Sequence, residues 1–141
     1  IVRNHYVGRT FIEPTQEIRN LKVKLKLNPM SSVLAGKSIV VIDDSIVRGT
    51  TSKRIVEMLR HAGAKEIHMK IAAPQIRHPE VYGIDTPNRD ELISAKKTCT
   101  QICEYIGADS LEFLSIDELV KALGDERKYS LVSFDGNYFI K

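Results

Sequence analysis

Two acids stand side by side at the end of an apolar run in SIVVIDDSIVRGTTSKR, Ser38 to Arg54, and four small residues, Gly49, Thr50, Thr51 and Ser52, follow shortly after. This order describes a strand end, a carboxylate pair, a loop and a helix start. At a helix start, free N–H groups and the helix dipole favour an anion. Gly49 lets the backbone come close to that anion, and the hydroxyls of Thr50 and Thr51 add donors. Asp43 and Asp44 would repel the same anion if they faced it. They suit sugar hydroxyls or a hydrated Mg²⁺. The stretch therefore fits a sugar phosphate, with phosphate at the threonine end and hydroxyls at the aspartate end.

Two familiar phosphate loops are excluded. No glycine precedes Gly49 at the spacing of a Walker loop, and the GxGxxG dinucleotide pattern is absent. An isolated Asp-Asp would be read as a turn cap. The succession of apolar run, acids, turn and Gly-Thr-Thr is more specific than that.

The elements that position these residues follow from periodicity. The four apolar residues after Ser38, bounded by turns and rich in Val and Ile, predict a buried parallel strand over 38–42. Residues 51–61 read as a helix with Ile55, Met58, Leu59 and Ala62 on one stripe and Gly63 closing it. Ile67, Met69 and Ile71 alternate with His68 and Lys70 in a second strand, which completes a right-handed βαβ unit. Helices are predicted over 89–97 and 98–106, a short strand at SLEFLS, and a helix after Ser115, with Glu118 completing a capping box. PTQEIRNL reads as a short helix opened by Pro14, and Val23–Leu27 as a half-exposed strand stopped by Asn28-Pro29. The end, YSLVSFDGNYFIK, is expected to turn as a hairpin at Asp135-Gly136. The first residues show no clear opening strand. The fold class is α/β with a parallel sheet.

The 141 residues fit one domain with a real core; 43% are hydrophobic and 28% charged. A net charge of +3, spread among acids, suits an anionic small molecule and argues against nucleic acid. No apolar run approaches the roughly 18 residues of a membrane span, and the start lacks a secretory apolar region. Cys99 and Cys103 share one helix face without a His or Cys at ligand spacing, so they read as packing residues in a reducing compartment, the cytoplasm. His5, His61, His68 and His78 show no ligand spacing either and read as non-catalytic.

VVIDDSIVRGTT resembles the phosphoribosylpyrophosphate (PRPP) motif of the type I phosphoribosyltransferases. DDSIVRGTTS is most similar to that of the glutamine PRPP amidotransferase family. RNHYVGRTFIEPTQEIR resembles the flexible active-site loop of that family, VKLKLNP its exit, and VYGIDTPNRDELIS, IGADSLEFLS and SFDGNYFIK its later stretches. The resemblance covers nearly the whole chain in order.

It implies a type I phosphoribosyltransferase-like parallel sheet flanked by helices, incomplete at its N-terminus. Residues 1–30 would be the active-site loop and exit strand, 38–73 the PRPP-binding βαβ unit, and 74–141 the C-terminal helices and hairpin. The family's N-terminal glutaminase domain and its upstream pyrophosphate-binding loop are not in this sequence. The implied reaction forms 5-phosphoribosylamine from PRPP and glutamine-derived ammonia with release of pyrophosphate, the first step of de novo purine synthesis. Asp43 and Asp44 would hold the ribose hydroxyls and Mg²⁺. Ser45, Arg48, Gly49, Thr50, Thr51 and Ser52 would form the 5′-phosphate cradle. Arg9, Thr10 and Lys26 would close over PRPP and exclude water, with Tyr6 and Phe11 as hinge or channel aromatics or ordinary packing.

The implied partners are PRPP, ammonia or glutamine through the glutaminase domain, purine nucleotides as inhibitors, and further copies in a homo-oligomer. One branch of the family holds an iron–sulfur cluster. Its cysteines fall at Glu80, Ser130 and Ser133, whose oxygen-bearing side chains are poor cluster ligands, so no cluster is expected. A non-catalytic PRPP- or nucleotide-binding regulator of the same fold is the alternative. The lid wording YVGRTFIEPTQ favours the enzyme. A purely structural βαβ module would leave the loop wording unexplained.

Overall fold

The structure is a computed structural model that describes residues 2–3, 27–83, 88–124 and 128–139. Strand β1, Val2–Arg3, pairs antiparallel with β2, Leu27–Asn28, in the register Val2↔Asn28 and Arg3↔Leu27. The sequence had offered no strand at this start, and Asn28 lies within β2 rather than after it. The helix expected at PTQEIRNL and most of the strand expected over 23–27 lie outside the described residues. A short helix follows, α1, Ser31–Leu34, which the polar wording of SSVL had concealed; it buries Leu34 and turns at Gly36.

The βαβ unit comes next: β3, Ser38–Asp43, then α2, Thr50–His61, then β4, Glu66–Ile71. Gly63 follows α2 with φ +94, the left-handed conformation that ends a helix most readily at glycine. After β4 come a 3₁₀ turn at Arg89–Glu91 and α3, Ile93–Lys96, two short pieces where one helix over 89–97 was expected. Next are α4, Cys99–Ile106, β5, Ser110–Phe113, and α5, Ile116–Leu123. Thr98 and Ser115 open α4 and α5 with complete capping boxes to Gln101 and Glu118. The chain end corrects the hairpin expectation. Val132–Asp135 is a helix, α6, and Gly136 at φ +76 is its C-cap. Asp-Gly serves a helix end as well as a hairpin turn, because both need a left-handed residue.

The main sheet has the order β3-β4-β5, all parallel. Register pairs Ile39 with Ile67, Val41 with Met69, and Met69 with Leu111. These residues share the face covered by α2 and α4, where Ile55, Val56, Leu59, Ile102 and Ile106 complete the core. Each fully buried Ile or Leu contributes about 1.5–3 kcal/mol relative to exposure. The other face bears Ser38, Val40 and Ile42 beside Glu66, His68 and Lys70, with Ser110 and Glu112 beyond. β3 is therefore not buried as expected. It is an edge strand of the described sheet, and Val40 and Ile42 are 61% and 77% exposed. No described helix is long and apolar enough to cross a membrane.

Candidate functional site

The carboxyl end of β3 is pinned from inside the sheet: the Ala72 N–H donates to the Asp43 carbonyl at 2.9 Å. By strand alternation the Asp43 side chain shares the face of Ile39 and Val41 and is half-buried, while Asp44 is exposed. The Asp44 N–H donates to Asp43 Oδ1 at 3.1 Å, and Ser45 Oγ donates to Asp44 Oδ1 at 3.2 Å. Burial raises the Asp43 pKa above its usual value; the Asp44 amide opposes this, and the Asp44 charge reinforces it. Among the described residues neither carboxylate is paired with Lys or Arg. Two adjacent carboxylates without a cation of their own are a donor set that suits Mg²⁺, which takes one or two carboxylates and completes its shell with water and substrate oxygens.

The loop then dives into the core at Ile46, only 2% exposed, and resurfaces at Val47 and Arg48. The Ile93 N–H donates to the Val47 carbonyl at 2.9 Å. Arg48 Nε donates to Glu91 Oε2 at 2.6 Å. Gly49 is the N-cap of α2 at φ +75, with no side chain capping the helix and no acid in its first turn. The first amides of α2 are thus left for an anion to satisfy. Thr50 and Thr51 are half-buried beside them, and Ser52 is buried at 3% exposure. Gly49 is required on two grounds. Its φ is left-handed, and an added Cβ would stand 2.8 Å from Ile93 Cδ1 and 3.2 Å from Tyr105 Cε1. Lys53, one turn into α2, lies over the Tyr105 ring at 5.1 Å.

The structure thus brings Asp43, Asp44, Ser45, Arg48, Gly49, Thr50, Thr51 and Ser52 together along the end of β3, the loop after it and the first turn of α2, at the sheet's carboxyl edge, where ligands of parallel sheets bind. Arg9, Thr10, Lys26, Tyr6, Phe11 and His5 lie outside the described residues. Glu91, Ile93 and Tyr105, which shape the loop, are not among the site residues that the sequence suggests: Glu91 and Ile93 read there as part of the helix expected over 89–97, and CEYIG carries no motif that marks Tyr105. A groove of about 460 Å³ also lies beyond β4 and β5, lined by residues that include Pro74, Gln75, Cys99, Phe113, Ile116 and Phe134.

Cys99 Sγ and Cys103 Sγ donate to the carbonyls of Leu111 and Ala108, at 3.3 and 3.2 Å. Burial pushes both thiols up from their usual pKa, aided at Cys99 by Glu112 and at Cys103 by Cys99, Asp109 and Glu104. Both are packing residues of α4, as their spacing implied. His61 Nδ1 lies 2.6 Å from the Glu57 carbonyl and His68 Nδ1 lies 2.8 Å from Ser110 Oγ. No three His, Cys, Asp or Glu side chains gather at one point among the described residues. The segment of Glu80 packs against that of Ser133. The amides of Arg77 and His78 both donate to the Ser133 carbonyl, and Tyr138 Oη donates to the Pro79 carbonyl at 2.6 Å.

No protein-family model matches the chain. It is 56% identical over 142 aligned residues to amidophosphoribosyltransferase 1, chloroplastic, of Arabidopsis thaliana, covering 100% of this chain and 25% of that protein. Glutamine PRPP amidotransferase from B. subtilis, solved in complex with ADP and GMP, superposes with a TM-score of 0.78 at 50% identity, over 97% of this chain and 31% of that one. A second solved structure, described as the allosteric regulatory enzyme of purine biosynthesis, gives 0.79 at 49% identity over 97% of this chain and 30% of that one. The chain spans about a quarter of the length of the curated relatives it matches. In sequence, along its whole length, and in the parallel sheet that carries Asp43 to Ser52, the chain matches one part of the amidophosphoribosyltransferases.

Proposed function

We propose that this chain is the PRPP-binding part of an amidophosphoribosyltransferase, which forms 5-phosphoribosylamine and pyrophosphate from PRPP and glutamine-derived ammonia. The observation that carries the reading is the placement of two carboxylates, unpaired with Lys or Arg among the described residues, at the end of β3, one loop away from a helix start with no side-chain cap. The 5′-phosphate sits on the first amides of α2, with the hydroxyls of Ser45, Thr50, Thr51 and Ser52 as further donors. Asp43 and Asp44 take the ribose hydroxyls. The ammonia lone pair bonds to C1 as the bond from C1 to the pyrophosphate oxygen breaks, and the new amine gives up a proton to solvent. Positive charge that builds on the sugar ring is stabilised by the two carboxylates. Mg²⁺, held by Asp43 and Asp44 through oxygen, would neutralise charge on the departing pyrophosphate. Arg9, Thr10 and Lys26 are proposed to close the site.

The same reading extends to partners. A glutaminase domain supplies ammonia, purine nucleotides inhibit, and the enzyme is a homo-oligomer in the cytoplasm, although the plant relatives are named chloroplastic. Glu80, Ser130 and Ser133 offer no cluster thiolates, so iron and acid-labile sulfide are expected to be absent from the purified protein.

The test is the double variant Asp43→Asn with Asp44→Asn in the full-length protein, assayed with ammonia and PRPP. A loss of at least about a hundredfold in kcat/KM is expected. Unchanged turnover removes the assigned role. A wild-type protein that binds PRPP without forming phosphoribosylamine is a regulator instead.

A further inference from the structure

The loop between β3 and α2 is fastened by residues far along the chain, the first of them 43 residues downstream, counted from Arg48 to Glu91. Three contacts make the fastening. Arg48 Nε and Glu91 Oε2 form an ion pair at 2.6 Å. The Ile93 N–H donates to the Val47 carbonyl at 2.9 Å. Ile93 and Tyr105 fill the space beside Gly49. The backbone of 47–49 is therefore gripped by hydrogen bond, ion pair and packing just before the amides that would meet a phosphate.

Electrostatics decide what Arg48 does in this arrangement. A phosphate drawn to the Arg48 guanidinium would bring its charge next to the Glu91 carboxylate, which already bonds that guanidinium, and the two anions would repel. A helix N-terminus binds phosphate through N–H groups without a cationic side chain. We infer that Glu91 is a positioning residue for the 5′-phosphate loop, and that Arg48 is the loop's tether to it and not a phosphate ligand. The inference rests on the proposed PRPP-binding reading and names a residue outside the loop on which that reading depends. The pair is part-exposed, 31% at Arg48 and 48% at Glu91, so it adds little to global stability and acts on loop geometry.

The experiment uses the full-length protein with PRPP and ammonia and three variants: Glu91→Gln, Arg48→Glu, and the swap Arg48→Glu with Glu91→Arg. Wild-type turnover comes first, since its absence sinks the PRPP reading and not the tether. With turnover present, Glu91→Gln is expected to raise the KM for PRPP about fivefold, with kcat within about twofold and the unfolding midpoint nearly unchanged. Arg48→Glu is expected to be worse, and the swap to recover most of its lost affinity. A swap no better than Arg48→Glu alone makes Arg48 a phosphate ligand and overturns the inference. So does a Glu91→Gln variant with unaltered KM.

Discussion

Ile93 Cδ1 stands 2.8 Å from the point where a Cβ on Gly49 would lie. The left-handed φ of +75 and the occupied space act together, so Gly49→Ala meets both a backbone penalty of about 1–2 kcal/mol and overpacking of about 1–3 kcal/mol. A loss of about 3 kcal/mol is expected in denaturant unfolding. Adding Ile93→Val, which removes Cδ1, should relieve only the packing share. The two changes together should therefore cost less than their sum. Strict additivity would show that Ile93 does not press on Gly49.

Asp109 ties the start of β4 to the turn before β5. Its carboxylate accepts from the Ile67 amide at 2.6 Å and pairs with Arg60, which also donates to the Lys65 carbonyl at 2.6 Å. The Ile67 amide, followed by Arg60, holds the Asp109 pKa below its ordinary 3.8. A depressed folded-state pKa means that the stabilisation is present above the unfolded value and lost as pH falls through the folded one. Unfolding midpoints followed from neutral pH into acid should fall less steeply below the unfolded value in Asp109→Asn than in the wild type. Equal acid slopes would remove this role.

Cys99 and Cys103 donate to carbonyls, and burial raises their pKa, so little thiolate forms at neutral pH. Alkylation of the folded protein should run at least about tenfold slower than in denaturant, with both thiols labelled together on unfolding. Fast labelling of either thiol in the folded state would contradict its packing role.

The local signals were legible. The βαβ order, the stripe of α2, the capping boxes at Thr98 and Ser115, and the place of Asp43 and Gly49 follow from periods and caps that act within a few residues. The buttress of the loop was not. Glu91, Ile93 and Tyr105 reach Arg48 and Gly49 only because the sheet order places α3 and α4 beside the β3–α2 loop, and no short-range pattern encodes that. The hairpin at Asp135-Gly136 failed because two motifs compete for one dipeptide. The buried β3 failed because burial of an apolar strand depends on its neighbours in space, and Val40 and Ile42 lie beside His68 and Lys70 on their face and stay 61% and 77% exposed.

The seating of Ile93 and Tyr105 against Gly49 bears on how portable the loop is. Grafted onto another parallel sheet, the ten residues DDSIVRGTTS would carry their letters and lose their mould. A scaffold meant to receive them must also supply an apolar side chain at the flank of the glycine and an amide aimed at the Val47 carbonyl. The transferable unit is the loop together with its distant rests, two stretches that only the folded chain makes neighbours.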